Sequence, residues 1–286
     1  MKLIADAGST KADWILINNN HIVDKKRTNG INPFYQTADM ISQLIKSELP
    51  FATDSASVKE VYFYGAGCIP EKQPIVATAL KSVFANAIIE VDSDLLGAAR
   101  ALCGHSEGIA CILGTGSNSC LYDGTNITQN TPPLGFILGD EGSGAFLGKA
   151  LVSDFLKRQM PDSIAELFAD KYHLTAKEAV ENVYRQPLPN RYLAQFTPFL
   201  SENIAEPYCY NLVFDAFIAF FARNIVHYPD FRTLPIAFTG SVAYHFADVL
   251  EVAAYDFGLN FSHIAQAPIG SLVEFHKGLI TNSTDR

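Results

Sequence analysis

The sequence predicts an α/β protein built from two domains of related topology. The first observation is an apolar strand, a glycine-hydroxyl turn and a second strand in LIADAGSTKADWILI, residues 3–17. The second is the return of this arrangement at 108–124, as GIACILGTGSNSCLYDG. The third is that each copy is followed by alternating strand and helix patterns. Such alternation is typical of sheets covered by helices, and its repetition indicates an internal duplication.

Hydrophobic periodicity predicts the elements of the first domain, which we place at 1–106. Strands at 2–7 and 12–17 form the opening hairpin, and the second of them is apolar enough to be buried on both faces. A polar strand near 21–28 is expected at a sheet edge. The following elements alternate: helix 37–49, strand 60–67, helix 74–86, strand 87–94 and helix 95–103.

The segment GHSE at 104–107 predicts a boundary, and the second domain is placed at 107–286. After its opening hairpin, the chain is expected to pass at 135–152 from a strand through an acidic glycine-rich loop into a helix. The remaining predictions are a helical insertion at about 154–230, a strand and Thr-Gly-Ser turn at 235–243, a helix to 257, a strand at 259–266 and a closing helix at 270–286.

Composition excludes several classes of protein. The 286 residues are 48% hydrophobic and 18% charged, which is typical of a globular chain and not of a disordered one. The net charge of −9 argues against a dedicated nucleic-acid binder, which needs a basic face. We find neither a signal peptide nor an apolar run of about 20 residues, so a cytoplasmic protein without a membrane partner is expected. The five cysteines lack zinc-ligand spacing and are expected to be structural thiols.

Three glycine-hydroxyl turns follow apolar strands: Gly8-Ser9-Thr10, Gly114-Thr115-Gly116-Ser117 and Gly240-Ser241. A single turn of this kind usually serves only to relieve the backbone. Two of the three, however, lie in matching strand–turn–strand settings. Successive backbone N–H groups in such turns can hold anionic oxygens, so the set favours a nucleotide phosphate site.

The ordered segments DAGSTKADW, GTGSNS, GDEGSG and FTGSVA resemble those of N-acetylglucosamine kinases and BadF-type ATPases. These families belong to the sugar kinase/actin/heat-shock ATPase superfamily. The resemblance implies a two-domain actin-like, ribonuclease H-like fold with ATP in the cleft, and a closing helix that packs on the first domain. It places the phosphates at Gly8–Lys11 and Gly114–Ser117, adenosine at Gly240–Val242, and Mg²⁺ near Asp6.

Asp94 is the candidate catalytic base. It stands where the strand IIEVDSD gives way to the helix LLGAAR, and the family carries its catalytic aspartate at this step. Phosphoryl transfer needs one carboxylate to orient the acceptor hydroxyl. The alternative is that Asp94 serves as a helix N-cap, which is compatible with catalysis. Asp92, two residues earlier, is the competing carboxylate.

The resemblance also indicates the residues that bind the sugar substrate. Asn32, Asn118 and Asp140 match family positions that contact the sugar, and Glu141 is expected to support the site. Without the resemblance, Asp140 reads equally well as a helix cap. The loop PLGFILGDEG retains Gly135 near the sugar but lacks the Trp and His of animal N-acetylglucosamine kinases. This departure weakens the assignment of the sugar and leaves that of phosphate transfer intact.

We therefore expect an ATP- and Mg²⁺-dependent kinase acting on the 6-hydroxyl of N-acetylglucosamine or another amino sugar. Two alternatives stay open at this point. One is a BadF-type ATPase that energises a partner enzyme, although the scattered cysteines offer no obvious iron–sulfur ligand set. The other is a sugar sensor without catalytic activity. A homodimer is compatible with the sequence.

Overall fold

The computed structural model describes residues 1–277, except for the side chains of residues 53 and 54. The chain divides into two compact units. Unit 1 contains Met1–Ser106, Asp123–Ile127 and the chain from Ala267 onward, and unit 2 contains Glu107–Tyr122 and Thr128–Gln266. Unit 1 is therefore assembled from three separate segments of the chain. The part of the predicted closing helix beyond 277 lies outside the described residues.

The strands within the described residues form two sheets of five. They are β1 Lys2–Ala7, β2 Lys11–Asn18, β3 His21–Asn29, β4 Glu60–Gly65, β5 Ile88–Ser93, β6 Glu107–Leu113, β7 Ser117–Asp123, β8 Ile127–Gln129, β9 Pro235–Thr239 and β10 Asn260–Ala265.

The α-helices within the same residues are α1 Ala38–Glu48, α2 Gln73–Val83, α3 Asp94–Cys103, α4 Gly135–Leu138, α5 Gly144–Leu156, α6 Asp162–Tyr172, α7 Ala176–Tyr184, α8 Pro189–Ala194, α9 Thr197–Glu202, α10 Pro207–Arg223, α11 Ser241–His245, α12 Ala247–Phe257 and α13 Ile269–Lys277.

Unit 1 is a sheet with helices on both faces, in the strand order β3-β2-β1-β4-β5. Strands β1 and β2 are antiparallel, while β1, β4 and β5 run parallel. Because strand side chains alternate between faces, Leu3 packs with helices α1 and α2, whereas Ile4 packs with Leu272 of α13. The central strands are buried on both faces and the polar β3 lies at an edge, as predicted.

Unit 2 repeats this order, because its sheet reads β8-β7-β6-β9-β10. The hairpin strand β6 corresponds to β1, and β9 pairs with it in parallel as β4 pairs with β1. Sheet residues such as Ile109 and Phe238 share one core with Leu147 of α5, Phe217 of α10 and Leu250 of α12. The α/β class and the duplication predicted from the sequence are thus confirmed.

One predicted strand is wrong. The apolar run GFIL at 135–138 forms the short helix α4 and not a strand. Two prolines precede it and lack the backbone donors of a strand ladder, and the backbone then turns through positive φ at Leu134 (60°) and Gly135 (73°). Two short elements were not predicted from the sequence, the 3₁₀ helix Pro50–Ser57 and the three-residue strand β8.

By length and composition alone, the stretch Pro207–His227 could cross a membrane, and it is the one helix with that property among the described residues. The core helix of a soluble protein passes the same test. Here Val213, Phe217 and Phe220 are fully buried in the core of unit 2. The observation is therefore weak support for a membrane span.

Candidate functional site

In unit 1, the turn Gly8–Lys11 connects β1 to β2 and closes through a hydrogen bond from Gly8 N to Lys11 O of 2.9 Å. Ser9, Thr10 and Lys11 are all exposed. Unit 2 carries the matching turn between β6 and β7, closed from Gly114 N to Gly116 O at 2.9 Å. Both predicted phosphate turns are therefore tight turns at equivalent places in the duplicated sheets.

The turn of unit 1 is joined to the loop that follows β3. Gly30 N donates to Thr10 O at 3.0 Å, and Ile31 N donates to Gly8 O at 3.2 Å. Asn32 Nδ2 then donates to Ser9 Oγ at 2.8 Å, while Asn32 Oδ1 accepts from Phe34 N. The structure thus brings Asn32, predicted to bind the sugar, into contact with Ser9, predicted to bind phosphate.

Asp94 lies close enough to Asp6 for its charge to raise the pKa of Asp6. Burial, and then the charges of Asp94 and Asp13, raise the pKa of Asp6 to about 7, with Lys11 opposing the shift. Asp13 stands opposite Asp6 in the β1–β2 register. Burial likewise raises the pKa of Asp94, although the backbone donor Leu95 N, 2.9 Å from its Oδ1, favours the charged form.

Asp94 is the first residue of α3, but it is not the N-cap. That position belongs to Ser93, whose Oγ accepts from Leu96 N at 3.2 Å. The capping alternative for Asp94 is therefore wrong. Asp92, the competing carboxylate, lies 3.7 Å from Arg100 Nη1, which also bonds Glu90. The two aspartates thus have different surroundings, since Asp92 is paired with a cation.

In unit 2, the acidic loop and helix α5 close over the second turn. Gly144 N donates to Gly114 O at 2.8 Å, and Ala145 N donates to Thr115 O at 3.0 Å. Asp140 Oδ1 accepts from Ser117 N at 3.2 Å, and a Cβ on Gly116 would lie 3.0 Å from Asp140 Oδ2. The segments GTGS and GDEGSG are separate in the sequence, and these hydrogen bonds join them into a single cluster of loops.

The N-cap of α5 is Ser143, whose Oγ accepts from Phe146 N at 3.1 Å. The capping alternative for Asp140 is therefore also wrong. Burial and the neighbouring Glu141 raise the pKa of Asp140, against the backbone bond from Ser117. Glu141 is buried and is held by Arg223 Nε at 2.7 Å, which supports the loop from helix α10.

Two further residues that were predicted to bind the sugar, Asn118 and Gly135, lie near this loop along the chain. Asn118 follows Ser117 in β7, and its Oδ1 accepts from Asn130 Nδ2 at 2.9 Å. Gly135 begins α4 and is tied to the acidic loop, because Gly135 O accepts from Gly139 N at 2.8 Å and Pro133 O accepts from Asp140 N at 3.0 Å. The space beside Gly135 is open, since a Cβ there would meet nothing within 4 Å among the described residues.

A cavity of about 380 Å³ opens beside the second turn, within unit 2. It brings Gly114 and Thr115 together with Ser241 and Val242, which the sequence analysis had linked only by family resemblance. Gly240 precedes them with φ 110°, and a Cβ there would lie 2.4 Å from Leu113 O. The other lining residues come from α5, from α8 to α9 and from α11: Gly144, Ala194, Thr197, Pro198, Ser201, Glu202, His245 and Phe246.

Comparison with solved structures finds a close match. The "putative N-acetylglucosamine kinase" of Porphyromonas gingivalis is 46% identical, with a TM-score of 0.93, over 97% of this chain and 99% of that one. The chain belongs to the N-acetylglucosamine kinase family. The resemblance drawn from the sequence motifs is thereby confirmed. A comparison with models of protein families and one with curated proteins find no match.

More distant structures share the fold of this kinase family. The "putative N-acetylglucosamine kinase" of Chromobacterium violaceum is 20% identical, with a TM-score of 0.72, over 96% of this chain and 98% of that one. A ROK family glucokinase of Streptomyces griseus, solved with glucose and AMPPNP, is 13% identical, with a TM-score of 0.55, over 96% and 97%. The sugar kinase and actin-like ATPase fold predicted from the sequence is confirmed.

The residues of this family member fit a hydrated magnesium ion. Asp6 is a half-buried carboxylate whose pKa is raised by burial and by the charges of Asp94 and Asp13, so a cation nearby would relieve the repulsion. Within residues 1–277 no group of three His, Cys, Asp or Glu side chains could enclose a metal ion. Mg²⁺ commonly binds through one or two carboxylates, with substrate phosphates and water completing its coordination, and Asp6 offers such a carboxylate.

Several residues around the candidate site could not be found from the sequence. Thr197, Ser201 and Glu202 line the cavity from α9, and His245 lines it from α11. Asn130, which bonds Asn118, was also missed. None of these lies in a glycine-rich motif, and Asn130 and Thr197 reach their sites through contacts distant in sequence. The one available signal was the position of His245 four residues after the FTGS turn.

Proposed function

We propose that this chain is an ATP-dependent kinase that transfers the γ-phosphate to a hydroxyl of an amino sugar, with the 6-hydroxyl of N-acetylglucosamine as substrate. The observation that carries the proposal is the pair Asp94 and Asp6. These half-buried carboxylates stand in unit 1 with the turn Gly8–Lys11, and that turn is bonded to Asn32. The names of the kinases from Porphyromonas gingivalis and Chromobacterium violaceum support the choice of sugar.

Asp94 would act as the base. Its carboxylate would accept the proton of the sugar hydroxyl as that oxygen bonds the γ-phosphorus, and the bond from the phosphorus to the bridging oxygen would break to release ADP. A positioned base of this kind contributes about 10²–10⁴-fold in rate. Partial burial suits the task, because it raises the pKa of the carboxyl and so strengthens the base.

The two turns would hold the phosphates. Backbone N–H groups of Gly8–Lys11 and Gly114–Ser117 would donate to phosphate oxygens, and the ammonium of Lys11, exposed in the first turn, would add positive charge. When bound near Asp6, Mg²⁺ would neutralise charge that develops on the phosphate oxygens. Phosphoryl transfer depends mainly on such positioning and neutralisation.

The cavity beside Ser241 and Val242 would take the adenosine. Its volume of about 380 Å³ lies at the small end of the usual ligand pockets. Apolar contact would come from Val242 and Phe246, and hydrogen-bonding groups from Thr197, Ser201 and Glu202. This composition suits a purine and a ribose.

Asn32, Asn118, Gly135 and Asp140 would contact the sugar, and Glu141 would hold the acidic loop through Arg223. A carboxylate accepts several hydrogen bonds, which suits neighbouring sugar hydroxyls. Asp140 already uses one oxygen to fix the turn at Ser117, so it would couple sugar binding to the phosphate turn.

The test is ADP release measured by a coupled assay with Mg-ATP and a panel of sugars: N-acetylglucosamine, glucosamine, N-acetylmannosamine and glucose. The proposal expects release that depends on N-acetylglucosamine, with the product identified as the 6-phosphate by nuclear magnetic resonance. ATP hydrolysis of equal rate with and without every sugar would contradict it and favour an ATPase that energises a partner. ATP binding without turnover would favour the sensor.

A further inference from the structure

The side-chain amide of Asn118 has a fixed orientation. Its Oδ1 accepts from Ser119 N at 2.9 Å and from Asn130 Nδ2 at 2.9 Å. An amide oxygen has two lone pairs, so both are used. Within the part of the chain that the structure describes, Asn118 Nδ2 makes no hydrogen bond. A flipped amide would place N–H groups against the N–H of Ser119, so the network assigns the oxygen to the protein side.

Asn130 is itself held in place by the backbone of β7 and by the residue that follows it, since its Nδ2 donates to Thr131 O at 3.2 Å. Its Nδ2 also donates to Ser119 O at 2.7 Å. The next residue, Thr131, donates from its N to Tyr228 Oη at 3.0 Å and from its Oγ1 to Asn224 O at 3.0 Å. The segment after β8 is thus anchored to the end of α10, and it presents the Asn130 amide to Asn118.

We infer that Asn130 is a positioning residue that makes Asn118 a pure hydrogen-bond donor toward the sugar, and that this donor selects the N-acyl group of an amino sugar. The inference rests on the proposed function. It assigns a role in sugar binding to Asn130, which lies outside the glycine-rich motifs. It also gives a chemical reason why the site would prefer an acylated amino sugar.

The chemistry of the three sugar substituents explains the selection. The carbonyl oxygen of an N-acetyl group only accepts hydrogen bonds, so it matches the two N–H groups of Asn118. The ammonium of glucosamine only donates and would oppose them. A hydroxyl, as in glucose, can accept but lacks the reach of the acyl carbonyl. Sites built to bond one polar group discriminate strongly against analogues that leave the site unpaired.

The experiment compares wild type with Asn130→Ala and Thr131→Val on N-acetylglucosamine, glucosamine and glucose. Asn130→Ala frees the Asn118 amide to rotate. We expect KM for N-acetylglucosamine to rise about tenfold, the value of one hydrogen bond, while kcat and KM for ATP stay within about twofold. The preference in kcat/KM for N-acetylglucosamine over glucosamine should fall by about the same factor.

Thr131→Val is the matched control, because it removes the bond to Asn224 O from the same segment and leaves Asn130 facing Asn118. It should keep the wild-type preference between the sugars. Asn130→Asp is a second test variant, in which the new side chain has the same shape as asparagine. Its carboxylate only accepts, so it should draw the Asn118 N–H groups toward itself and lower the preference for N-acetylglucosamine at least as far as Asn130→Ala does.

The outcomes separate the inference from the proposed function. An unchanged sugar KM and preference in Asn130→Ala would overturn the inference, as would an equal loss of preference in Thr131→Val. A wild-type kinase that turns over glucosamine and N-acetylglucosamine equally well would overturn it too, while the kinase activity stood. Failure of the wild type to phosphorylate any sugar would overturn both.

Discussion

At the scale of single residues, two carboxylates two positions apart have different roles in the structure. Asp92, on β5, faces Arg100 at 3.7 Å and belongs to a surface of paired charges with Glu90. Asp94 begins α3, is bonded at one oxygen by Leu95 N, and lies within electrostatic range of Asp6. Alternation along a strand would place residues 92 and 94 on the same face. The change from strand to helix at residue 94 is what separates them.

The first prediction concerns these two acids. Asp94→Asn should lower kcat by about 10²–10⁴-fold, because the amide cannot accept the proton of the sugar hydroxyl. Nucleotide affinity, measured by calorimetry, should stay near that of wild type. Asp92→Asn is the control and should retain most of the activity. The reverse pattern would make Asp92 the base.

Gly240 supports a second residue-scale prediction. Its φ of 110° is strained for any side chain, and a Cβ would lie 2.4 Å from Leu113 O. Gly240→Ala should therefore lower the free energy of unfolding by at least about 1–3 kcal/mol and weaken ATP binding at the adjoining cavity.

The matched control is Gly270→Ala on α13. Gly270 has open space around it, and alanine favours the helix by roughly 0.5–1 kcal/mol. Denaturant unfolding and titration with ATP would measure both variants. Equal ATP affinity for Gly240→Ala and wild type would contradict the assignment of this turn to the nucleotide site.

At the scale of elements, helix α5 acts as the support of the second phosphate turn. Its first N–H groups, left without partners inside the helix, bond the carbonyls of Gly114 and Thr115. Its N-cap Ser143 fixes where the helix begins, and Thr197 Oγ1 on α9 bonds Gly144 O at 3.1 Å. The start of the helix therefore sets the position of the turn.

Ser143→Ala should consequently affect both stability and nucleotide binding. Loss of the cap costs about 0.5–2 kcal/mol, and displacement of the turn should raise KM for ATP several-fold. Thr175→Ala, which removes the N-cap of α7 in the same unit, is the control. It should lose similar stability, measured by thermal unfolding, and leave KM for ATP unchanged. Similar KM values for both variants would show that α5 does not position the turn.

Most elements could be predicted because their sequence patterns are local. Buried strands are continuous apolar runs, and turns such as Gly8–Lys11 need glycine at short range. The strand predicted at 135–138 failed because pairing depends on a free sheet edge, which periodicity does not report. Residues such as Asn130 and Thr197 could not be predicted, since their functional setting comes from contacts 12 and 53 residues away along the chain.

At the scale of the whole molecule, the duplication explains why the site motifs recur. The two sheets share one strand order, so corresponding turns, β1 to β2 and β6 to β7, fall at corresponding places. The two units differ most in the helices α6 to α10, which unit 2 has in addition. The family resemblance supplied the expected roles of Asp94 and Asp140, while the structure shows which neighbours hold them.

The stability of the protein should also depend on pH through His276 on α13. The centroid of its ring lies 3.8 Å from that of Tyr62 in a stacked arrangement, and its Nε2 is hydrogen-bonded with Tyr64 Oη at 2.9 Å. Burial, and then the positive charges of Arg100 and Lys2, lower the pKa of His276 to about 4, against the opposing charges of Glu90 and Glu60. The folded state therefore holds this histidine neutral.

Proton linkage gives the direction in which stability changes with pH. Between the unfolded pKa of about 6.5 and the folded pKa of about 4, the unfolded state binds the additional proton, so stability falls as pH falls through this window. We expect a loss of about 1–2 kcal/mol, less than the full shift implies because the ring is partly exposed. Denaturant unfolding between pH 7.5 and 4 would measure this loss of stability. The control is Tyr255→Phe, which alters a far more exposed side chain than His276 and should keep the pH dependence of wild type.

His276→Asn should have a flatter pH dependence over the same window, because asparagine does not titrate. Its stability at pH 7.5 should be lower than that of wild type, since the stacking on Tyr62 and the bond from Tyr64 are lost. A variant with the same slope as wild type would show that other groups, such as the carboxylates of unit 1, govern the acid response.

The three-segment composition of unit 1 has a consequence for the order of events during translation. Leu272 and Val273 of α13 are fully buried against Ile4, Ile15 and Ile17 of the opening hairpin. The ribosome makes the opening hairpin long before α13, because all of unit 2 lies between them along the chain. The part of this sheet face formed by Ile4, Ile15 and Ile17, beside α3, therefore stays uncovered until α13 leaves the exit tunnel. A nascent chain stalled after residue 266 should consequently recruit chaperones that bind apolar surface, and one released with α13 should not.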